Sequence, residues 1–250
     1  MRRVAAGFGT VALTLLIAAH GAPAQENPLI TDLSSHLISI TSSFTGTDLL
    51  LFGAVEEHGD VIVVVRGPQQ PLVVRRKDRV LGIWMNREAV GFANVPGYYA
   101  VAANRPIEDI ASPNLLARLQ IGTENLRFAA TTPIDDTDLV PYRDAVMRNK
   151  VRDGLYQDNA GRVVFLGPKL FRVRVGFPAK VPVGTYQAEV YLVRDDQVIS
   201  AQATPLFINK SGAEREIYDF AHEQPLAYGV AAVALALSAG WLAAVFLRRG

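Results

Sequence analysis

Residues 170–177 read LFRVRVGF. Successive side chains of an extended strand point to opposite faces, so Phe171, Val173, Val175 and Phe177 share one side while Arg172 and Arg174 share the other. A period of two with charge confined to one face is the mark of a half-buried antiparallel strand. Working outward, residues 184–193, GTYQAEVYLV, repeat the pattern with Tyr186, Ala188, Val190 and Leu192 inward, and Asp195-Asp196 turns the chain into a further strand over 198–207. Upstream, the apolar runs 48–55 and 61–65 flank the polar turn Glu56-Glu57-His58-Gly59-Asp60. Strands over 72–76, 80–85, 89–93 and 98–102 follow, separated by Gly, Pro, Asn and charged residues. Many short strands at such spacing predict a mainly β fold of immunoglobulin-like β-sandwich character, in one or two domains.

Helical signals interrupt this run only in the middle. Ser112-Pro113 reads as an N-cap with proline at the first helical position, leading into Leu115, Leu116 and Leu119. A second helix is expected from near Pro141 to just before Gly154, with Tyr142, Ala145, Val146 and Asn149 on one face. The resulting division is a β-sandwich domain over 25–105, a helical insert over 106–154 and a second β unit over 155–210. One sandwich carrying the helices as a long crossover is the rival arrangement. The turns Val95-Pro96-Gly97-Tyr98-Tyr99 and Pro182-Val183-Gly184-Thr185-Tyr186 echo each other. Tyrosines at such corners pack inward and bond nearby backbone, which is favoured here over an aromatic ligand platform.

Both ends of the chain are apolar. Residues 224–247 contain no charge, and a transmembrane helix is expected over 225–247, with Tyr228 and Trp241 near its ends and the tail 248–250 carrying Arg248-Arg249. Ser211 and Glu214 make a capping box for a juxtamembrane helix over 211–224. At the other end, Arg2-Arg3, an apolar run to Ala19 and the small residues of Ala22-Pro23-Ala24 read as a signal peptide over 1–24, in preference to an uncleaved helix. The expected placement is the bacterial inner membrane, with the bulk of the chain in the periplasm and the C-terminus in the cytoplasm. Cysteine is absent, so disulfides and thiolate metal sites are excluded. Without Arg2, Arg3, Arg248 and Arg249 the 25 basic residues fall to 21 against 24 acidic ones, a balance unsuited to nucleic acid.

Four long phrases carry a resemblance: HLISITSSFTGTDLLLFGA (36–54), GDVIVVVRGP (59–68), VVRRKDRVLGIWMN (73–86) and IYDFAHEQPLAYG (217–229). They resemble the alphaproteobacterial family of putative transmembrane proteins across essentially the whole mature chain. The resemblance implies an inner-membrane protein of uncharacterised activity, often encoded near sulfite exporters of the TauE/SafE type. It carries over no catalytic residue.

Candidate chemistry is sparse. Glu56, Glu57, His58 and Asp60 offer metal-ligand types, but consecutive turn residues rarely converge, and a polar hairpin tip is the better reading. His36, His58 and His222 show no chelating spacing, and there is neither a G-x-S-x-G elbow nor a phosphate loop. No catalytic residue, metal or cofactor is expected. Within Arg75-Arg76-Lys77-Asp78-Arg79, a regular strand puts Arg75, Lys77 and Arg79 on one face, where guanidinium groups suit an oxyanion. A charged edge strand is the alternative. Ala232, Ala236, Gly240 and Ala244 recur every fourth residue as a helix-packing face for a second copy or a multi-pass transporter. The expected function is a non-enzymatic accessory or interaction partner of an inner-membrane transporter, a sulfur-oxyanion exporter above all. The alternative is a periplasmic module that binds a small anion or envelope ligand.

Overall fold

The computed structural model describes residues 28–80, 82–157, 159–211 and 220–247. The signal peptide, most of the juxtamembrane helix with its Glu214, and the tail 248–250 lie outside them. Thirteen strands are named in chain order: β1 Leu29–Leu33, β2 Leu37–Ile40, β3 Gly46–Val55, β4 Asp60–Arg66, β5 Gln69–Val80, β6 Ile83–Pro96, β7 Tyr99–Ala103, β8 Ala129–Ala130, β9 Gly161–Arg162, β10 Val164–Phe165, β11 Leu170–Pro178, β12 Gly184–Arg194 and β13 Gln197–Lys210. They form three sheets, ordered β1-β3-β11-β10, β2-β13-β12-β4-β7-β9 and β5-β6-β8. Strand β3 pairs with β11 and β4 with β12, so early and late parts of the chain share both larger sheets.

The alternation of LFRVRVGF is realised: Phe171, Val173, Val175 and Phe177 are buried and Arg172 and Arg174 exposed. They meet Val61, Val63, Val65, Val190 and Leu192 of the six-stranded sheet in one apolar cluster. Strand β4 differs from β11, because all five residues from Val61 to Val65 are buried. Its other face, Ile62 and Val64, joins Tyr99, Val101, Leu115, Leu116 and Val146 in a second cluster. A central sheet that is apolar on both sides needs two covers, since exposed apolar area is unfavourable by about 25 cal/mol per Å². The four-stranded sheet supplies one cover, and the helices with the base of the third sheet supply the other.

This corrects the immunoglobulin-like expectation. A two-sheet sandwich of antiparallel strands would leave Ile62, Val64 and Val101 in water. The observed fold has three sheets, and its ladders β2–β13 and β7–β9 are parallel. Of the four short strands expected over 72–102, the last stands as β7, while those over 72–76, 80–85 and 89–93 are redrawn as the two long strands β5 and β6. The chain runs through the charged stretch without turning and reverses at Gly82, whose φ of +87° suits glycine. Pro71 sits where the β5–β6 register shifts, which is where a strand tolerates the missing donor.

The described helices are α1 Ile107–Ile110, α2 Pro113–Leu119, α3 Asp136–Arg152 and α4 Pro225–Leu247. Ser112 caps α2 as expected, its Oγ accepting from the Leu115 amide at 3.3 Å, with Pro113 next. Helix α3 starts five residues before the expected Pro141, which lies inside it. Asp135 and Asp138 stand at its start, where carboxylates favour the positive end of the helix dipole.

Helix α4 is 23 residues long. Among the described residues, no helix is long and apolar enough to cross a membrane. The expected transmembrane helix is corrected accordingly, and the segment stands as an apolar helix whose described side chains from Leu226 to Trp241 are all exposed.

Two outcomes follow from this packing. Phe171→Ala should cost about 3–5 kcal/mol in urea unfolding, because it empties a fully buried site. The adjacent exposed Arg172→Ala should stay within about 0.5 kcal/mol. The β12–β13 turn gives the second. Asp195 and Asp196 have φ of 49° and 61°, and the Ser112 amide donates to Asp196 Oδ1 at 2.6 Å. That bond holds the Asp196 carboxyl below its ordinary value of 3.8. A depressed carboxyl stabilises the fold above its unfolded pKa and loses that contribution as pH falls through the folded value. Asp196→Asn keeps the acceptor and tolerates the left-handed backbone, so its melting deficit should be present at neutral pH and vanish in acid.

Candidate functional site

The basic run lies on a hairpin whose base is locked and whose far half has no further strand beside it among the described residues. The Gly67 amide donates to Tyr98 O and the Gly97 amide to Pro68 O, both at 2.8 Å, so the two legs are tied where they leave the central sheet. A Cβ on Gly67 would lie 2.8 Å from the Tyr98 nitrogen and 2.9 Å from Tyr186 Cε1, so only glycine fits this approach. Near the base, Val90 and Phe92 are buried against the helical layer. Strand β8 pairs only with Phe92 and Ala93. Beyond Gly91, whose carbonyl accepts from the Thr131 amide, β5 and β6 form ladders with no other strand among the described residues, and most of their side chains are exposed.

Between this arm and α3 opens a cleft of about 730 Å³. Val74, Ile134, Pro141 and Ala145 supply its apolar lining, and Arg75, Arg76, Arg148, Glu88, Asp138 and Tyr142 its polar groups. The Tyr142 hydroxyl donates to Glu88 Oε2 at 2.6 Å, which raises its pKa. Arg76 Nη1 lies 3.9 Å from the same carboxylate. Among the described residues, Arg75 and Arg148 have no carboxylate partner. Three guanidinium groups against two carboxylates make the cleft suitable for a small oxyanion.

Of the three basic residues singled out in the sequence, Arg75 lines the cleft and Lys77 and Arg79 do not. Arg79 Nε donates to Gly82 O at 3.2 Å, within its own turn. Arg76, Glu88, Tyr142 and Arg148 were missed, because α3 reaches the arm across a sequence separation of 54 residues at the Tyr142–Glu88 bond. The Arg76–Glu88 opposition follows from the strand register once the turn is placed at Gly82. In the turn 56–60, Glu57 meets Arg194 at 3.0 Å and Asp60 meets Arg105 at 2.6 Å, so these carboxylates face guanidinium groups. Ala232, Ala236, Gly240 and Ala244 lie exposed on α4, and a Cβ at Gly240 would meet nothing.

The corner tyrosines are structural. Tyr98 and Tyr186 are fully buried, their hydroxyls donating to Gly176 O at 2.8 Å and Pro182 O at 2.6 Å. Burial pushes both phenols well above their usual range. A neighbouring network fixes the end of α2. Arg66 pairs with Glu189 and donates to Leu119 O at 2.7 Å, while Tyr99 OH donates to Gln120 O at 2.9 Å. Carbonyls at a helix C-terminus lack intrahelical donors, and these two side chains satisfy them.

The family described as "Putative transmembrane protein (Alph_Pro_TM)" matches residues 28–249. The chain belongs to this family. Its match takes in the β region, the arm and α4 together, so the family character covers the whole described structure. No curated protein and no solved structure matches the chain.

Proposed function

We propose that this protein is a non-enzymatic accessory module held at the bacterial inner membrane, its β region on the periplasmic side, serving a multi-pass transporter. A sulfur-oxyanion exporter is the partner to which the sequence resemblance points. The carrying observation is the surface of α4: Leu226, Val230, Val233, Leu235, Leu237 and Trp241 are all exposed, Leu235 by 70%. A helix apolar on every side is stable only when lipid or protein covers it. Membership of the transmembrane family favours lipid. Holding a module within a few nanometres of its partner gives an effective concentration of about millimolar without a tight interface.

Cell fractionation and affinity purification test this reading. The full-length protein should sediment with membranes in high salt and co-purify with a multi-pass protein after mild solubilisation. Leu235→Lys with Leu237→Lys should release it to the soluble fraction with its β-region melting unchanged. A wild-type protein that sediments with no membrane overturns the proposal.

The cleft supports a second reading, binding of a small anion, because Arg75 and Arg148 line it without a carboxylate partner among the described residues. Sulfite or sulfate at ten times its Kd would add about 1.4 kcal/mol and raise the melting temperature by roughly 3–6 °C. Arg75→Ala with Arg148→Ala should abolish that rise. No rise at millimolar anion removes this reading.

A further inference from the structure

The far half of the β5–β6 arm has an apolar tip set in a basic collar. The tip sequence, residues 80–85, is VLGIWM. Ile83 and Met85 are 67% and 52% exposed. Behind them stand Arg75, Arg76, Lys77, Arg79 and Arg87, all exposed, against only Asp78 and Glu88. Those two carboxylates are already faced by Arg87 at 3.7 Å and Arg76 at 3.9 Å. Arg75, Lys77 and Arg79 alternate along β5 on one face, and their side chains form no ion pair among the described residues. A two-stranded ribbon with exposed apolar residues at its end is marginal in water and gains from a cover.

Topology places the root of this arm at the end of the central sheet from which the chain runs on toward α4. Arg66 lies opposite Gln187, and Gln187 opposite Pro205, so β4 and β13 run in the same direction on either side of β12. The chain therefore leaves β4 for the arm at the same end of the central sheet where β13 finishes at Lys210 and leads on toward α4. An apolar tip with a cationic collar matches an anionic phospholipid surface, apolar residues entering the acyl boundary and Lys and Arg meeting phosphates.

We infer that the β5–β6 arm is a second membrane contact, dipping its tip into anionic phospholipid while Arg75, Lys77 and Arg79 engage the headgroups. This rests on the proposed membrane attachment through α4 and adds a separate, charge-dependent contact to it. The arm then sets the tilt of the β region over the bilayer, and the cleft between arm and α3 faces the headgroup zone.

The chain has no cysteine, so single labels are unambiguous. Full-length Met85→Cys and, separately, Leu237→Cys are labelled with a polarity-sensitive fluorophore and reconstituted with vesicles carrying a nitroxide lipid. Phosphatidylcholine alone is compared with a phosphatidylglycerol mixture. The expected result is quenching of both labels in the anionic mixture. Quenching at Met85 alone should be lost in phosphatidylcholine, in high salt, and on adding Arg75→Glu, Lys77→Glu and Arg79→Glu. A quenched Leu237 label beside a Met85 label no more quenched than one at His58→Cys, in the turn at the opposite end of the central sheet, overturns the arm contact and leaves membrane attachment standing. If neither label is quenched, attachment and arm fail together. A Met85 label already in an apolar environment without vesicles shows protein covering the tip and also overturns the inference.

Discussion

The structure depends on removing both faces of β4 from water. Five consecutive buried residues, Val61 to Val65, cannot be accommodated at a surface or on one side of a two-layer fold. Their backbone groups need partners as well, and ladders to β12 and β7 provide them on both edges. Everything else is arranged as cover. Residues β3 and β11 contribute close one face, and the helical layer with the proximal arm closes the other.

That arrangement explains why the arm has two unlike halves. Val90 and Phe92 belong to the second cluster, so the proximal half is fixed by the packing that covers β4. Distal to them no other strand pairs with the ribbon among the described residues, and its sequence changes from apolar to basic. Arg66, one residue before Gly67 at the arm's root, is held by Glu189 and two carbonyls at the end of α2. The root is thus tied into sheet and helix by charge-assisted bonds, while the tip stays available.

Much of the fold was legible because burial on one face leaves a period in the sequence. LFRVRVGF and GTYQAEVYLV have alternating burial where their sequences alternate. Ser112-Pro113 marked a helix start, and Asp195-Asp196 marked a turn, because each is a local backbone device. The run DVIVVVR shows the limit. Its apolar continuity indicates burial without naming what covers either side, so the packing of the expected helical insert against β4 and the third sheet were not foreseen. The arm was misread as short strands because charge at Arg75–Arg79 resembles a turn, whereas the reversal occurs at Gly82.

Sequence alone determined the strand faces, the helix cap, the absence of disulfides and an apolar, uncharged C-terminal segment, since each depends on residues close together in the chain. Only tertiary structure decided that two parallel ladders and three sheets form, that Tyr142 and Arg148 join Arg75 and Arg76 around one cleft, and that Arg79 turns to its own loop. Those outcomes require contacts between segments tens of residues apart, which are set by the competition to cover β4 and not by any local pattern.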